Sequence, residues 1–193
     1  ARGEEGLAKA AAELRAEGAT VFEEAVDVTD PQALAGFVGR AAGALGGLDL
    51  LVSNVSAGNV KSPEAWEAGL RGDLIPFAGL VEAALPHLEA SGSGRIVNVA
   101  SLSGKRVRND HLAYNMTKHA MIALNHAARR IAWDKGVRAT ALCPSFVRTD
   151  MTASSTALAP EAMTQPADLA ELVVTLLALP NNATVAELLV NCR

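Results

Sequence analysis

Scarcity is the first feature of this sequence. It has one tyrosine and 4% aromatic residues, only two cysteines, four histidines, no cluster of basic residues and no long apolar run. With a formal net charge of −4 and its basic residues scattered, the chain offers no electrostatic footprint for nucleic acid or for an anionic membrane. Its longest apolar stretches, such as LVVTLLAL, are too short to span a bilayer, and the opening residues ARGEEGLAK are too charged for a secretory signal. Cys143 and Cys192 stand in apolar, strand-like stretches, which suits buried thiols in a reducing compartment and predicts a cytoplasmic protein. His87, His111, His119 and His126 form no ligand pattern with carboxylates or cysteines, so no metal is expected. What remains is 193 residues, half of them apolar, enough for one core: a single domain over 1–193 whose partner is a small molecule.

Hydrophobic periodicity alternates between helix-like segments rich in Ala, Leu and Glu and short β-branched runs, predicting an α/β domain with a mostly parallel sheet. Residues Glu4 to Glu17 read as a helix closed by Gly18, and ATVFEEAV as a strand. Asp30-Pro31 opens a helix that ends at Gly46-Gly47, followed by the strand LDLLVSN. A long helix is predicted from Pro63 to Ala90, then the strand RIVNVAS. LAYNMTKHAMIALNHAARRIAWDK reads as a helix ended by Gly136, and VRATALC as a strand. The polar segment PSFVRTDMTASSTALAPEAMTQP has no firm periodicity and is a candidate binding loop. Pro166 to Leu179 reads as the final helix and TVAELLVN as the final strand.

The lone tyrosine, Tyr114, precedes Lys118 by four positions and so shares a helix face with it. An ammonium near a phenol favours the phenolate and turns the hydroxyl into an acid/base. Such pairs also occur on ordinary solvated helix faces. Upstream, RIVNVAS delivers Ser101 to the carboxyl end of a strand, the edge at which open parallel sheets bind ligands. A serine there can hydrogen-bond a substrate oxygen, or simply cap a turn.

Ser101 followed by Tyr114-x-x-x-Lys118 resembles the catalytic signature of the short-chain dehydrogenase/reductase family. VDVTD resembles the family's adenine-contacting segment, and LLVSNVSAG the strand that ends in Asn-Asn-Ala-Gly. CPSFVRTDM resembles the Pro-Gly segment that closes over the nicotinamide. The resemblance implies a Rossmann-like, doubly wound parallel sheet in three α/β/α layers, and an oxidoreductase that moves a hydride between NADP or NAD and a small alcohol or ketone. It further implies that Tyr114 exchanges the hydroxyl proton, Lys118 binds the nicotinamide ribose and supports the phenolate, and Ser101 orients the substrate oxygen. On the same ground Asp27 and Val28 contact adenine, while Asn54, Val55 and Ser56 pass near the ribose. Pro144, Ser145, Val147 and Thr149 would line the nicotinamide, with Thr149 on the carboxamide. Arg2 falls where NADP-preferring members carry a basic residue suited to a 2′-phosphate, and is otherwise a solvated terminal charge. The small residues Ala113, Ala120, Ala123 and Ala127 of the tyrosine helix permit close approach of another helix, either within the monomer or, as the resemblance implies, in a homodimer or homotetramer.

Several departures set further expectations. The family opens with a strand, a Thr-Gly-x-x-x-Gly-x-Gly turn, a helix and a second strand, none of which this sequence contains; GALGG sits at a helix end with the wrong polarity. A sheet incomplete on its N-terminal side is therefore expected, with a gap between ATVFEEAV and LDLLVSN and weak dinucleotide binding by residues 1–193 alone. Asp73 stands where many members carry a catalytic asparagine; its charge would favour protonated Lys118, unless it is a solvated helix charge. Pro76 lacks an N–H and should kink the helix, freeing the carbonyl of Gly72. Thr140 and Ser145 replace an asparagine and a glycine. These departures keep open a non-catalytic relative that binds nucleotide or a partner. A sugar-nucleotide epimerase of the family's extended branch is less consistent with the short stretch after Pro144.

Overall fold

The computed structural model describes residues 3–56 and 65–192. Helix α1 spans Glu4–Ala16 and helix α2 Pro31–Leu45. The α2 start follows from its sequence. The Asp30 carboxylate accepts from the N–H groups of Gln32 and Ala33 at 2.9 and 3.0 Å, and Pro31 takes a position whose N–H would have no helical acceptor. Gly46, at φ 81°, ends α2 in a conformation that costs glycine no steric penalty.

Between these helices ATVFEEAV forms no strand, contrary to expectation. A strand exists through its ladder, and no described strand pairs with this segment. Its side chains anchor it instead: Phe22 stacks on Phe37 of α2 at 6.1 Å, Glu23 pairs with Arg15 and Glu24 with Arg40. Val26 is buried in the main core.

The sheet contains β1 (Leu50–Ser53), β2 (Arg95–Val99), β3 (Arg138–Pro144) and β4 (Glu187–Val190), in that spatial order and all parallel. Parallel neighbours need crossovers, here made by α4 (Ile75–Ala90), α5 (Leu112–Ala132) and α6 (Pro166–Leu177). Strand alternation sends Ile96 into the core shared with Leu34, Phe77, Leu80, Leu88 and Met121 of α2, α4 and α5. Val97 and Thr140 point to the opposite face, where they line a cleft with Leu176 of α6. Helices thus cover both faces of a Rossmann-like α/β sheet.

The predicted helix from Pro63 to Ala90 is broken. Its described part has three pieces: α3 (Ala65–Gly69), a π-helical turn over Leu70–Leu74, then α4. The N–H of Ile75 reaches back to Leu70 rather than to Arg71. Pro76 has no N–H to offer Gly72, and the widened turn lies immediately before it. Other boundaries move less. The α5 helix gives way to a 3₁₀ turn at Trp133–Lys135, α6 stops at Leu177, and β4 starts at Glu187. The polar loop after β3 is tied at its base by a parallel bridge between Val147 and Thr164 and contains two 3₁₀ turns. Both cysteines are free; Cys143 is fully buried, which pushes its thiol up to about 11, whereas Cys192 is only half-buried. No helix among the described residues is long and apolar enough to cross a membrane.

Candidate active site

Because all four strands run the same way, their carboxyl ends share one edge, where the chain leaves β1 at Asn54, β2 at Ala100 and β3 at Ser145. The ladder continues slightly beyond the strands: Ala100 donates its N–H to Leu142 O and Ser145 to Val190 O, each at 2.8 Å. Ser101 is thereby fixed in extended backbone. Its Oγ accepts from the N–H of Ser103 at 3.1 Å and caps the 3₁₀ turn Leu102–Gly104. The turn-capping role is thus real, and the hydroxyl keeps its own proton for donation elsewhere.

That turn lies hard against α5. A Cβ on Gly104 would fall 2.5 Å from the carbonyl oxygen of Lys118 and 2.7 Å from Ile122 Cδ1, so only glycine lets the serine turn reach the helix at the lysine. Tyr114 and Lys118 lie one turn apart on α5, with the Lys118 ammonium 5.5 Å from the tyrosine ring centroid. No described residue hydrogen-bonds the Tyr114 hydroxyl. The α5 N-terminus is braced by Asn115, whose Nδ2 donates to Asn109 Oδ1 at 2.9 Å.

Asp73 is not a solvated helix charge. The π turn directs it against α5, where its Oδ2 lies 3.2 Å from Lys118 Nζ, and the two side chains are 1% and 2% exposed. Ser56 donates its hydroxyl to the same carboxylate oxygen at 3.2 Å. The structure therefore joins Ser56, Asp73, Lys118 and Tyr114 directly, and Ser101 through the Gly104 contact. Gly69 supports the arrangement, since a Cβ there would approach Thr117 Cγ2 to 3.0 Å.

Other predicted positions are less connected. Asn54 is exposed and Val55 half-buried just past β1. Asp27 and Val28 occupy the turn before α2, with Asp27 Oδ1 accepting from both the N–H and the hydroxyl of Thr29 at 2.9 Å. Pro144 is buried at the end of β3, Val147 forms the base of the polar loop, and exposed Thr149 caps a 3₁₀ turn. Arg2 lies outside the described residues. Thr140 donates its hydroxyl to Val185 O at 2.7 Å, a link from β3 to the segment before β4.

Three features escaped the sequence reading. Gly104 looks like an ordinary turn glycine. Asn98 is fully buried in the apolar run of β2 and donates from Nδ2 to Met121 O at 3.3 Å. Glu187 gathers His126 Nε2 and Lys105 Nζ, each at 2.7 Å, and those two hydrogen bonds hold its carboxyl below the usual range. Among the described residues no group of His, Cys, Asp and Glu is arranged to hold a metal.

Comparison with known proteins places this geometry. The family model described as short chain dehydrogenase matches residues 1–159. Agropine synthesis reductase of Rhizobium rhizogenes is 36% identical over 176 residues, an alignment covering 86% of this chain and 40% of that protein. Cis-4-hydroxycyclohexanecarboxylate dehydrogenase of Sinomonas cyclohexanicum is 32% identical over 155 residues, covering 77% of this chain and 62% of its own length. The chain thus spans about two fifths of the first relative and three fifths of the second. Among solved structures, an alcohol dehydrogenase from the archaeon Thermococcus sibiricus complexed with 5-hydroxy-NADP superposes with a TM-score of 0.87 at 27% identity, over 98% of this chain and 82% of that one.

Proposed function

The chain belongs to the short-chain dehydrogenase family, and on that premise we propose that its protein is an NADP(H)-dependent oxidoreductase acting on a small alcohol or ketone. The observation that carries the reading is Tyr114, with no described hydrogen-bond partner at its hydroxyl, stacked one turn from buried Lys118 and beside the serine turn clamped at Gly104.

The fit to a nicotinamide dinucleotide can be judged from the donor set. At the shared strand edge the site supplies an ammonium, a phenol, two serine hydroxyls and the Thr149 hydroxyl, which suit the ribose and carboxamide at the nicotinamide end. No glycine-rich helix start among the described residues supplies the amides for a pyrophosphate. When bound, such a cofactor provides the hydride chemistry. The chain's own groups do the rest: Ser101 donates to the substrate oxygen, Tyr114 gives or takes the hydroxyl proton, and Lys118 holds the ribose and orients the phenol. Asn54, Val55 and Ser56 would border the ribose, Asp27 and Val28 the adenine, and Pro144, Ser145, Val147 and Thr149 the nicotinamide. The preference for NADP over NAD is supported by Arg2 in the sequence and by the NADP derivative in the T. sibiricus enzyme.

The same reading places the protein in the cytoplasm as a homodimer or homotetramer paired through α5. In support, α5 exposes Ala123 and Ala127 on one face with Leu112, Met116 and Ile131, whereas Ala113 and Ala120, expected in the same pairing, are buried and half-buried within the chain. Consumption of reduced nicotinamide across a panel of small ketones tests the function. Wild-type protein should turn over, and Tyr114→Phe should lose about 10²- to 10⁴-fold in turnover; equal rates would remove the mechanism.

A further inference from the structure

Tyr114 stands in the first turn of α5, the part of a helix whose N–H groups have no acceptor one turn back. Such a turn frays unless something holds it. His111 occupies the cap position, but its side chain makes no capping bond to the first turn. The restraint comes from Asn109, in the exposed segment 105–110 that joins the serine turn to α5. Its Oδ1 accepts from the His111 N–H at 3.0 Å and from Asn115 Nδ2 at 2.9 Å, so one oxygen ties the cap position to the residue that follows Tyr114. Asn115 is only 4% exposed, and a buried amide donor loses much without its acceptor.

The other end of the same amide reaches the serine turn. Asn109 Nδ2 donates to Ser103 Oγ at 3.4 Å, and the N–H of Ser103 donates to Ser101 Oγ at 3.1 Å. One side chain thus closes a path from the Ser101 hydroxyl to the turn that carries Tyr114. The Gly104 contact already fixes the serine turn against α5 at Lys118, one helical turn beyond the tyrosine. A single contact leaves the helix start free to tilt about it, and the second contact at Asn109 removes that freedom.

We propose that Asn109 is a positioning residue that holds the start of α5 against the serine turn and so sets the separation of the Ser101 and Tyr114 hydroxyls. The role rests on the proposed function, in which one substrate oxygen meets both hydroxyls. Each must lie within about 2.6–3.2 Å of that oxygen, and a displacement of about 1 Å costs up to about a hundredfold in turnover. Asn109 acts through Ser103 and Asn115 rather than on the reacting atoms. An amide suits the place because it accepts with one end and donates with the other. A carboxylate fills it as well: it accepts from the His111 N–H and from Asn115 Nδ2, and the Ser103 hydroxyl can rotate to donate to its second oxygen. A methyl group does neither.

Wild type, Asn109→Ala, Asn109→Asp and Ser103→Ala are compared by amide hydrogen exchange over residues 110–117 and by reduction of the ketone panel with NADPH, below the unfolding temperature of each. Asn109→Ala should exchange about fivefold faster in that segment, with the rest of α5 unchanged. It should also lose about ten- to a hundredfold in kcat, with KM held within about twofold. Asn109→Asp should recover both. Ser103→Ala cuts only the link to the serine turn, and should lower kcat while its exchange stays at the wild-type rate, a split that a loosened helix does not produce. Unchanged exchange in Asn109→Ala, wild-type kcat in Asn109→Ala or Ser103→Ala, or no recovery in Asn109→Asp would overturn the proposal. Exchange needs neither cofactor nor substrate. If wild type turned over no ketone while Asn109→Ala still loosened the helix start, the proposed function would fail and the tie between the turn and α5 would stand.

Discussion

Two carboxylates grip the surroundings of α5 from opposite sides, Asp73 from the π turn and Glu187 from the edge strand β4. By distance the edge cluster is the tighter: Glu187 holds Lys105 and His126 at 2.7 Å, whereas Asp73 holds Lys118 at 3.2 Å. By burial the order reverses, since Asp73 and Lys118 are 1% and 2% exposed while Lys105 and His126 are 35% and 37% exposed. Burial decides what each contact does. In water a short ion pair gains little, because solvent already satisfies both charges. Out of water the same pair is not screened by solvent, so each charge is felt more strongly by its neighbours.

Breaking the buried side should show the largest effect. Lys118→Met removes the buried ammonium that faces the Asp73 carboxylate, and we expect a loss of about 3–5 kcal/mol in urea unfolding, much of it regained in the double variant Asp73→Asn/Lys118→Met. A loss below about 1 kcal/mol would mean that water reaches Asp73. The matching change at the edge, Lys105→Met, should cost about 0–1 kcal/mol. The smallest effect sharpens the contrast by its pH dependence. Lys105 and His126 hold the Glu187 carboxyl below its ordinary value of 4.5. Its stabilisation is thus present above that value and is lost as pH falls through the lowered one. Unfolding curves of wild type and Glu187→Gln should differ at neutral pH and converge in acid; a gap that widens on acidification would reverse the assigned sign.

The sequence exposed these two regions unequally. Local rules were enough for the Asp30–Pro31 helix start, the Gly46 stop, and the helix carrying Tyr114 and Lys118, because each depends on residues within a turn of one another. ATVFEEAV failed for the converse reason: its alternation is strand-like, but a strand needs a neighbour, and its side chains found helices instead. The π turn was legible only in part. Pro76 announced a break, yet periodicity cannot tell a kink from a widened turn, and the widening is what brings Asp73 to Lys118. Gly104 and Glu187 left no local signal, since both matter through contacts with distant parts of the chain.

If the buried carboxylate governs proton transfer and the solvated one does not, the pH profile of ketone reduction should separate them. In the proposed mechanism reduction takes a proton from Tyr114, so a changed charge beside Lys118 should alter how turnover depends on pH. Measured in wild type, Asp73→Asn and Glu187→Gln, the profile should shift in Asp73→Asn and superimpose on wild type in Glu187→Gln. A profile unchanged in Asp73→Asn, or shifted as far in Glu187→Gln, would contradict the account.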